Sequence, residues 1–132
     1  MITRDDMFIP VVRADPTFGP TCENFLREWR EEPEAPQYLL LADLARHLIG
    51  QLALGDSSRF DAVFDVVERW HIEGDQHVRE AATVGLLEDL QNLNLHMTTK
   101  PEQFIRWLRP TSRRYWDKIE AFWRDGTIIT DD

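Results

Sequence analysis

Between Tyr38 and Leu54, apolar side chains recur every three or four residues, at Tyr38, Leu41, Ala45, Leu48 and Leu52, while Leu40, Leu44 and Ile49 widen the stripe well past one face. That spacing is helical, and a helix apolar over most of its circumference has to be covered from several sides. Only Asp43, Arg46, His47 and Gly50–Gln51 leave it a narrow wet edge. The rest of the chain must therefore be folded around this segment.

The flanking sequence supplies the covering elements. A helix is expected from Cys22 to about Glu32, capped by Thr21 and burying Phe25, Leu26 and Trp29; Pro33 and Pro36 end it and prepare the next. Gly55 provides a left-handed stop after the central helix, and Asp56 or Ser57 caps a third, from about Ser57 to Ile72, that buries Phe60, Val63, Phe64, Val67 and Trp70, with His71 or its neighbour. Gly74 and Asp75 make a corner into a fourth helix, Gln76 to about Leu95, with Val78, Ala82, Leu86, Leu90 and Leu93 inward. Gly85 in the interior of that helix costs about 1 kcal/mol against alanine, which calls for a close neighbour as compensation.

Thr99, Pro101 and Glu102 read as a capping box for a short fifth helix with Phe104, Trp107 and Leu108 inward. Thr111 or Ser112 caps a sixth, ending at Gly126 and burying Tyr115, Trp116, Ile119, Phe122 and Trp123. No segment alternates with period two between turn signals. The expected fold is all-α: one domain, 21–126, as a bundle of about six helices in antiparallel pairs, open to a helical-repeat-like stacking. An extended N-terminal arm (1–20) carries Pro10, Pro16 and Pro20, and a tail follows (127–132).

Charge divides the chain. The net charge is −9; residues 1–99 hold 8 Lys/Arg against 18 Asp/Glu, residues 100–124 hold 7 against 3, and residues 125–132 add three aspartates. Such a surface repels nucleic acid and anionic lipid and attracts a basic partner. A single cysteine, Cys22, excludes an internal disulfide and a cysteine-based zinc site, and its apolar neighbours make it a small core group. The acidic opening residues Met1–Asp6 lack the apolar region of a signal peptide, and no stretch is apolar enough to span a membrane. The expected location is cytoplasmic.

Three groups of side chains bear on chemistry. His71, Glu73, Asp75, His77 and Glu80 crowd the corner with ligand types suited to divalent metals, yet the two histidines fall on different helices, and Asp75 and Glu80 have ordinary roles at a helix N-terminus. Asp43 and His47 lie one turn apart and could orient a general base, but no nucleophile is identifiable beside them. The run Arg106, Arg109, Arg113, Arg114 and Lys118 is interleaved with aromatics that fall on the buried period. It reads as local charge balance or an interface rim rather than a nucleic-acid site. An acidic stripe, Asp61, Asp65 and Glu68, continues toward Glu73 and Asp75.

At Asp43-Leu44-Ala45-Arg46-His47-Leu48-Ile49, and again from Val67 through Asp75 and from Val78 through Asn92, the chain resembles a bacterial domain-of-unknown-function family of small, acidic, helical proteins. The resemblance spans about Pro16 to Trp123. It implies a context, since related small acidic proteins are often immunity partners of secreted bacterial toxins; it brings no catalytic residues.

The function expected on these grounds is a non-catalytic binding module that neutralises a basic bacterial toxin domain by occluding its active surface. Its contact residues would be Asp61, Asp65, Glu68, Glu73, Asp75 and His77, with no cofactor, metal, nucleic acid or membrane involved. The alternative from another class is a small metal-dependent or acid-base enzyme at His71, Asp75 and His77, or at Asp43 and His47. A third is a self-associating helical module, a homodimer.

Overall fold

A computed structural model describes residues 1–33 and 35–131. Seven α-helical segments are present among them: α1 (Ile9–Ala14), α2 (Gly19–Glu28), α3 (Gln37–Ala53), α4 (Phe60–Glu73), α5 (Gln76–Glu80), α6 (Glu88–Gln91) and α7 (Pro110–Asp125). A π-helical turn, Ala81–Leu87, joins α5 to α6, so that Gln76–Gln91 is one continuous rod. Short 3₁₀ turns fill Pro16–Phe18, Leu93–Leu95 and Pro101–Trp107. The only strand-like pairing among the described residues is an isolated bridge between Ile2 and Gly74.

The central helix is α3, as its all-round apolar pattern requires: Leu40, Leu41, Leu44, Ala45, Leu48 and Ile49 are buried. The Gln76–Gln91 rod lies against it, and Gly85 makes that approach feasible. A Cβ there would stand 2.7 Å from Leu41 Cδ1 and 3.3 Å from the Tyr38 ring. The neighbour expected for Gly85 is thus α3 itself. Helix α4 buries Phe60, Val63, Phe64, Val67 and Trp70, and Phe60 and Phe64 meet Phe104 from the Pro101–Trp107 turn. Burial of this many large side chains contributes roughly 1.5–3 kcal/mol each against the entropy of ordering the chain.

The corner at Gly74 is set by space rather than by backbone handedness. Its φ of −74° is open to any residue, but an added Cβ would sit 2.3 Å from the Trp70 carbonyl oxygen and 2.6 Å from Val78 Cγ1. By contrast, Gly55 and Gly126 do adopt positive φ, 74° and 76°, at the two helix ends where a stop was expected.

Several expectations need correction. Thr21 lies inside α2 and does not cap it, the N-terminal flank of α4 is Arg59 rather than Asp56 or Ser57, and Leu26 and Leu93 are exposed rather than buried. The first 20 residues are not an extended arm: Ile9–Ala14 is helical with Pro10 in its first turn, and Met7, Phe8, Val11 and Phe18 are buried. Six residues are too few to show a helical period, so Pro10 reads as a breaker although a first-turn proline is compatible with a helix. The Trp70 indole N–H donates to the Met7 carbonyl at 3.0 Å and anchors this segment. The fifth helix is a 3₁₀ turn; its first N–H is satisfied by Gln103, whose side-chain oxygen accepts from Lys100 N at 2.7 Å, while Thr99 pairs with His96 at 2.7 Å. The fourth helix ends at Gln91 rather than Leu95. Finally, Phe122 and Trp123 are 40% and 55% exposed. The apolar stripe of α7 is continuous, but only its first part, to Ile119, lies within the core.

Candidate protein-binding surface

The strongest polar junction in the fold is internal. Glu68, on the buried side of α4 and 8% exposed, accepts hydrogen bonds from Ser112 N (2.8 Å), Thr111 N (3.0 Å) and the Ser112 hydroxyl (2.9 Å). It is therefore the N-terminal cap of α7, supplied by another helix, where neither Thr111 nor Ser112 caps with its own side chain. Burial raises the Glu68 pKa, but these donors outweigh it and hold the carboxyl below the ordinary range. The expected place of Glu68 on a solvated acidic stripe is thus corrected: a helix-face argument cannot foresee an acceptor needed by a helix more than forty residues later.

His71, 5% exposed, extends the same junction. Its Nδ1 lies 3.0 Å from the Val67 carbonyl and 3.3 Å from Ser112 Oγ, its Nε2 lies 3.1 Å from Thr83 Oγ1, and its ring stacks on Tyr115 at 5.0 Å. The carbonyl partner assigns the proton to Nδ1, which leaves Nε2 to accept from Thr83. Burial lowers the His71 pKa to about 4. Glu68, Ser112 and His71 are the three residue types of a hydrolase triad, but Ser112 is fully buried and donates to Glu68 while His71 keeps its proton on the Ser112 side. The group joins helices and presents no nucleophile to solvent.

The other sequence-derived residues scatter around this junction. Asp61 and Asp65 both approach Arg109, at 3.4 and 3.5 Å, so that one guanidinium offsets the two charges. Glu73 is exposed, while its carbonyl accepts from Ile2 N at 2.8 Å; Asp75 caps the following helix, accepting from Val78 N at 2.9 Å, and its own N–H donates to Ile2 O at 2.9 Å. His77 is half-buried with its ring edge-on to Tyr38 at 6.4 Å. His71, Asp75 and His77 thus each have separate surroundings, and among the described residues no group of three or more His, Cys, Asp or Glu could hold a metal ion. Nor do Asp43 and His47 form a pair. Asp43 meets Arg46 at 3.4 Å, and His47 Nε2 lies 3.0 Å from the fully buried Asp15.

Asp15 is the second buried carboxylate. Gln51 Nε2 donates to it at 3.0 Å, and the Thr17 N–H (3.1 Å) and hydroxyl both donate to it, with Arg59 at 3.8 Å. Burial pushes its pKa up, but the bonds from Thr17, Gln51 and His47 outweigh this and hold it low. It ties the α1–α2 connection to α3 and to the start of α4. Sequence reading missed it, because nothing local to Asp15 reveals partners 32 to 44 residues away.

What does reach the surface is a patch around Tyr38. Its ring lies beside Gly85 and His77, and the phenol pKa is raised by burial and further by the charges of Glu80 and Glu88. Burial likewise raises Glu88, and burial followed by repulsion from Glu88 raises Asp89, against a smaller opposing pull from Arg46. None of Glu80, Glu88 and Asp89 forms an ion pair among the described residues. Tyr38 (41%), Leu39 (53%) and Val84 (39%) keep apolar surface exposed in the same two helices. Periodicity places Tyr38 inward, and only the packing of the π turn shows that it stops half-way out.

The sequence model of a domain of unknown function, DUF7674, matches residues 10–124. The chain belongs to this family. No curated protein and no solved structure matches it. The matched span begins in α1 and ends in the last turn of α7, and in this chain it includes the Asp15 and Glu68 junctions and the patch around Tyr38.

The basic run is engaged in place, though only Arg109 and Arg113 meet carboxylates among the described residues. Arg109 serves Asp61 and Asp65, Arg113 pairs with Asp117 at 2.9 Å, and Lys118 donates to the Thr130 carbonyl at 2.7 Å. Arg106 and Arg114 lie over Trp107 and Tyr115. No helix among the described residues is long and apolar enough to cross a membrane.

Proposed function

We propose that this chain is a non-catalytic protein-binding module of immunity type, acting in the bacterial cytoplasm to cover the active surface of a basic toxin domain. The observation that carries the reading is the patch around Tyr38, where the half-buried Glu88 and Asp89 form no ion pair among the described residues and exposed aromatic and aliphatic groups lie on the same two helices. Carboxylates held short of full solvation gain most when a lysine or arginine arrives, and the surrounding apolar rim lengthens the encounter. The net charge of −9 adds long-range steering.

The contact surface in this reading runs from the corner, Glu73 and His77, along the Gln76–Gln91 rod to Glu80, Glu88 and Asp89, with Tyr38 and Val84 inside it. Asp61 and Asp65, whose charges are already shared with Arg109, contribute less. Glu68 and Asp75 support it from within as helix caps. The enzyme alternative has less support, because His71 is closed off and the corner histidines do not converge.

The test is capture of partners by the tagged full-length chain from its native host, with mass spectrometry and metal analysis of the same eluate. One basic protein in near-equal amount, without stoichiometric metal, supports the module. Stoichiometric zinc or iron with no partner sinks it and revives the enzyme.

A further inference from the structure

We propose that the cavity between the end of the Gln76–Gln91 rod, the Pro101–Trp107 turn and α7 binds a linear aliphatic polyamine. It uses none of the residues of the toxin-binding surface and stands or falls independently of that reading.

The cavity measures about 810 Å³, within the roughly 300–1,000 Å³ of small-molecule sites. The rod stops at Gln91 because Asn92 leaves the helix, and its side chain accepts from Asn94 N at 3.0 Å. Leu93 is exposed as a result. On the facing side α7 continues past the core to Trp123. Leu93 (72% exposed) and Trp123 (55%) both break the inward pattern of their segments, and both line this cavity together with the half-buried Ile105.

Beneath these apolar walls the polar groups are acceptors left short of donors. Gln91 is 8% exposed; its Nε2 donates to the Trp116 carbonyl at 3.0 Å, and its Oε1 accepts no hydrogen bond among the described residues. A carbonyl oxygen so enclosed gains from any ligand that brings a donor. Glu120 accepts from Trp116 Nε1 through one oxygen, while its other oxygen and both of Glu102 accept nothing among the described residues. Neither glutamate forms an ion pair there, and Arg124 at the same rim pairs with Asp125 at 3.6 Å.

Acceptors, two uncompensated negative charges and apolar walls specify one kind of ligand. It carries several N–H donors, at least two positive charges and a methylene stem between them. The methylenes cover Leu93, Ile105 and Trp123, whose ring also attracts a neighbouring ammonium. The ammonium groups serve Glu102, Glu120 and Gln91 Oε1 as charge-assisted donors. A neutral sugar would meet the acceptors and Trp123 but leave both charges unmatched, and an anion would be repelled.

The test is isothermal titration calorimetry of the full-length chain with spermidine, and with magnesium ion as a cation that has no stem. One saturable spermidine site is expected, about tenfold or more tighter than magnesium. Glu102→Gln/Glu120→Gln should weaken spermidine about tenfold, and Trp123→Ala about fivefold. All three side chains are exposed, and an unchanged urea-unfolding midpoint verifies the fold. Glu73→Gln/Glu80→Gln, the same loss of charge elsewhere on the surface, should leave the affinity unchanged. Absence of saturable spermidine binding, equal binding of magnesium, or an equal loss from the two double substitutions overturns the proposal.

Discussion

Acidification from pH 7 to pH 4 should remove a contribution to stability that belongs to His71 alone. The imidazole is fully enclosed and neutral in the fold, with Nδ1 bonded to Val67 O and Nε2 to Thr83. The unfolded chain takes up a proton near 6.5, the folded one only near 4, so between these values the unfolded state holds more protons and acid favours unfolding. At 1.36 kcal/mol per pH unit the interval from 6.5 to about 4 is worth about 3 kcal/mol, present in full above the upper value and lost as pH falls toward the lower. That is a large part of the 5–15 kcal/mol typical of a domain. The assay is urea unfolding at pH 7, 6, 5 and 4 for the parent and for His71→Asn, whose amide can reproduce the bond to Val67 without titrating. The stability difference between the two, rather than either alone, isolates the group. Asp15 and Glu68, with lowered pKa values, and Glu88 and Asp89, with raised ones, titrate in both proteins. The parent's advantage should shrink by about 3 kcal/mol across the range. A difference that stays constant with pH would refute a buried neutral imidazole.

Further outcomes follow from the same contacts. Gly74→Ala forces a Cβ against the Trp70 carbonyl and Val78, with backbone rather than a flexible tip in the way; a loss of about 1–3 kcal/mol by thermal unfolding is expected, as for other overpacked sites. Glu68→Gln keeps the shape but turns an acceptor into a donor facing Thr111 or Ser112 N–H, and should cost about 1.5–3 kcal/mol. The damage should concentrate in faster amide exchange over the first turn of α7. Asp15→Asn should destabilise by a similar 1.5–3 kcal/mol, and its cost should shrink below the ordinary carboxylate pKa, since the parent then loses the same charge.

How much was legible follows from the range of the interactions involved. The burial of α3, the corner at Gly74–Asp75 with its Asp75 cap, the stops at Gly55 and Gly126 and the close approach at Gly85 rest on spacing within one helix or on one turn, so the sequence pattern carries them. The caps and charges that cross the fold do not leave such a trace. Glu68 looks like one more solvated acid until α7 is seen to begin on it, and His47 looks like the partner of Asp43 until Asp15 is found beside it. Phe122 and Trp123 continue the apolar period of α7 and are nevertheless exposed, because periodicity reports a face but not where its covering ends. Charge counting points to the α4 stripe and the Glu73–His77 corner; the carboxylates near Tyr38 come together through the π turn, which no residue pattern announces.

The most direct measurement of the binding account is the association rate of the captured basic partner, by stopped-flow at 50 and 300 mM salt, with the parent chain and with Glu80→Lys/Glu88→Lys. These two residues flank the π turn without a side-chain cap bond from Glu80, and neither forms an ion pair among the described residues. Their reversal should slow association at least tenfold at low salt and flatten its salt dependence, with folding intact. A rate and salt dependence equal to the parent's would contradict the assignment of this surface to the partner.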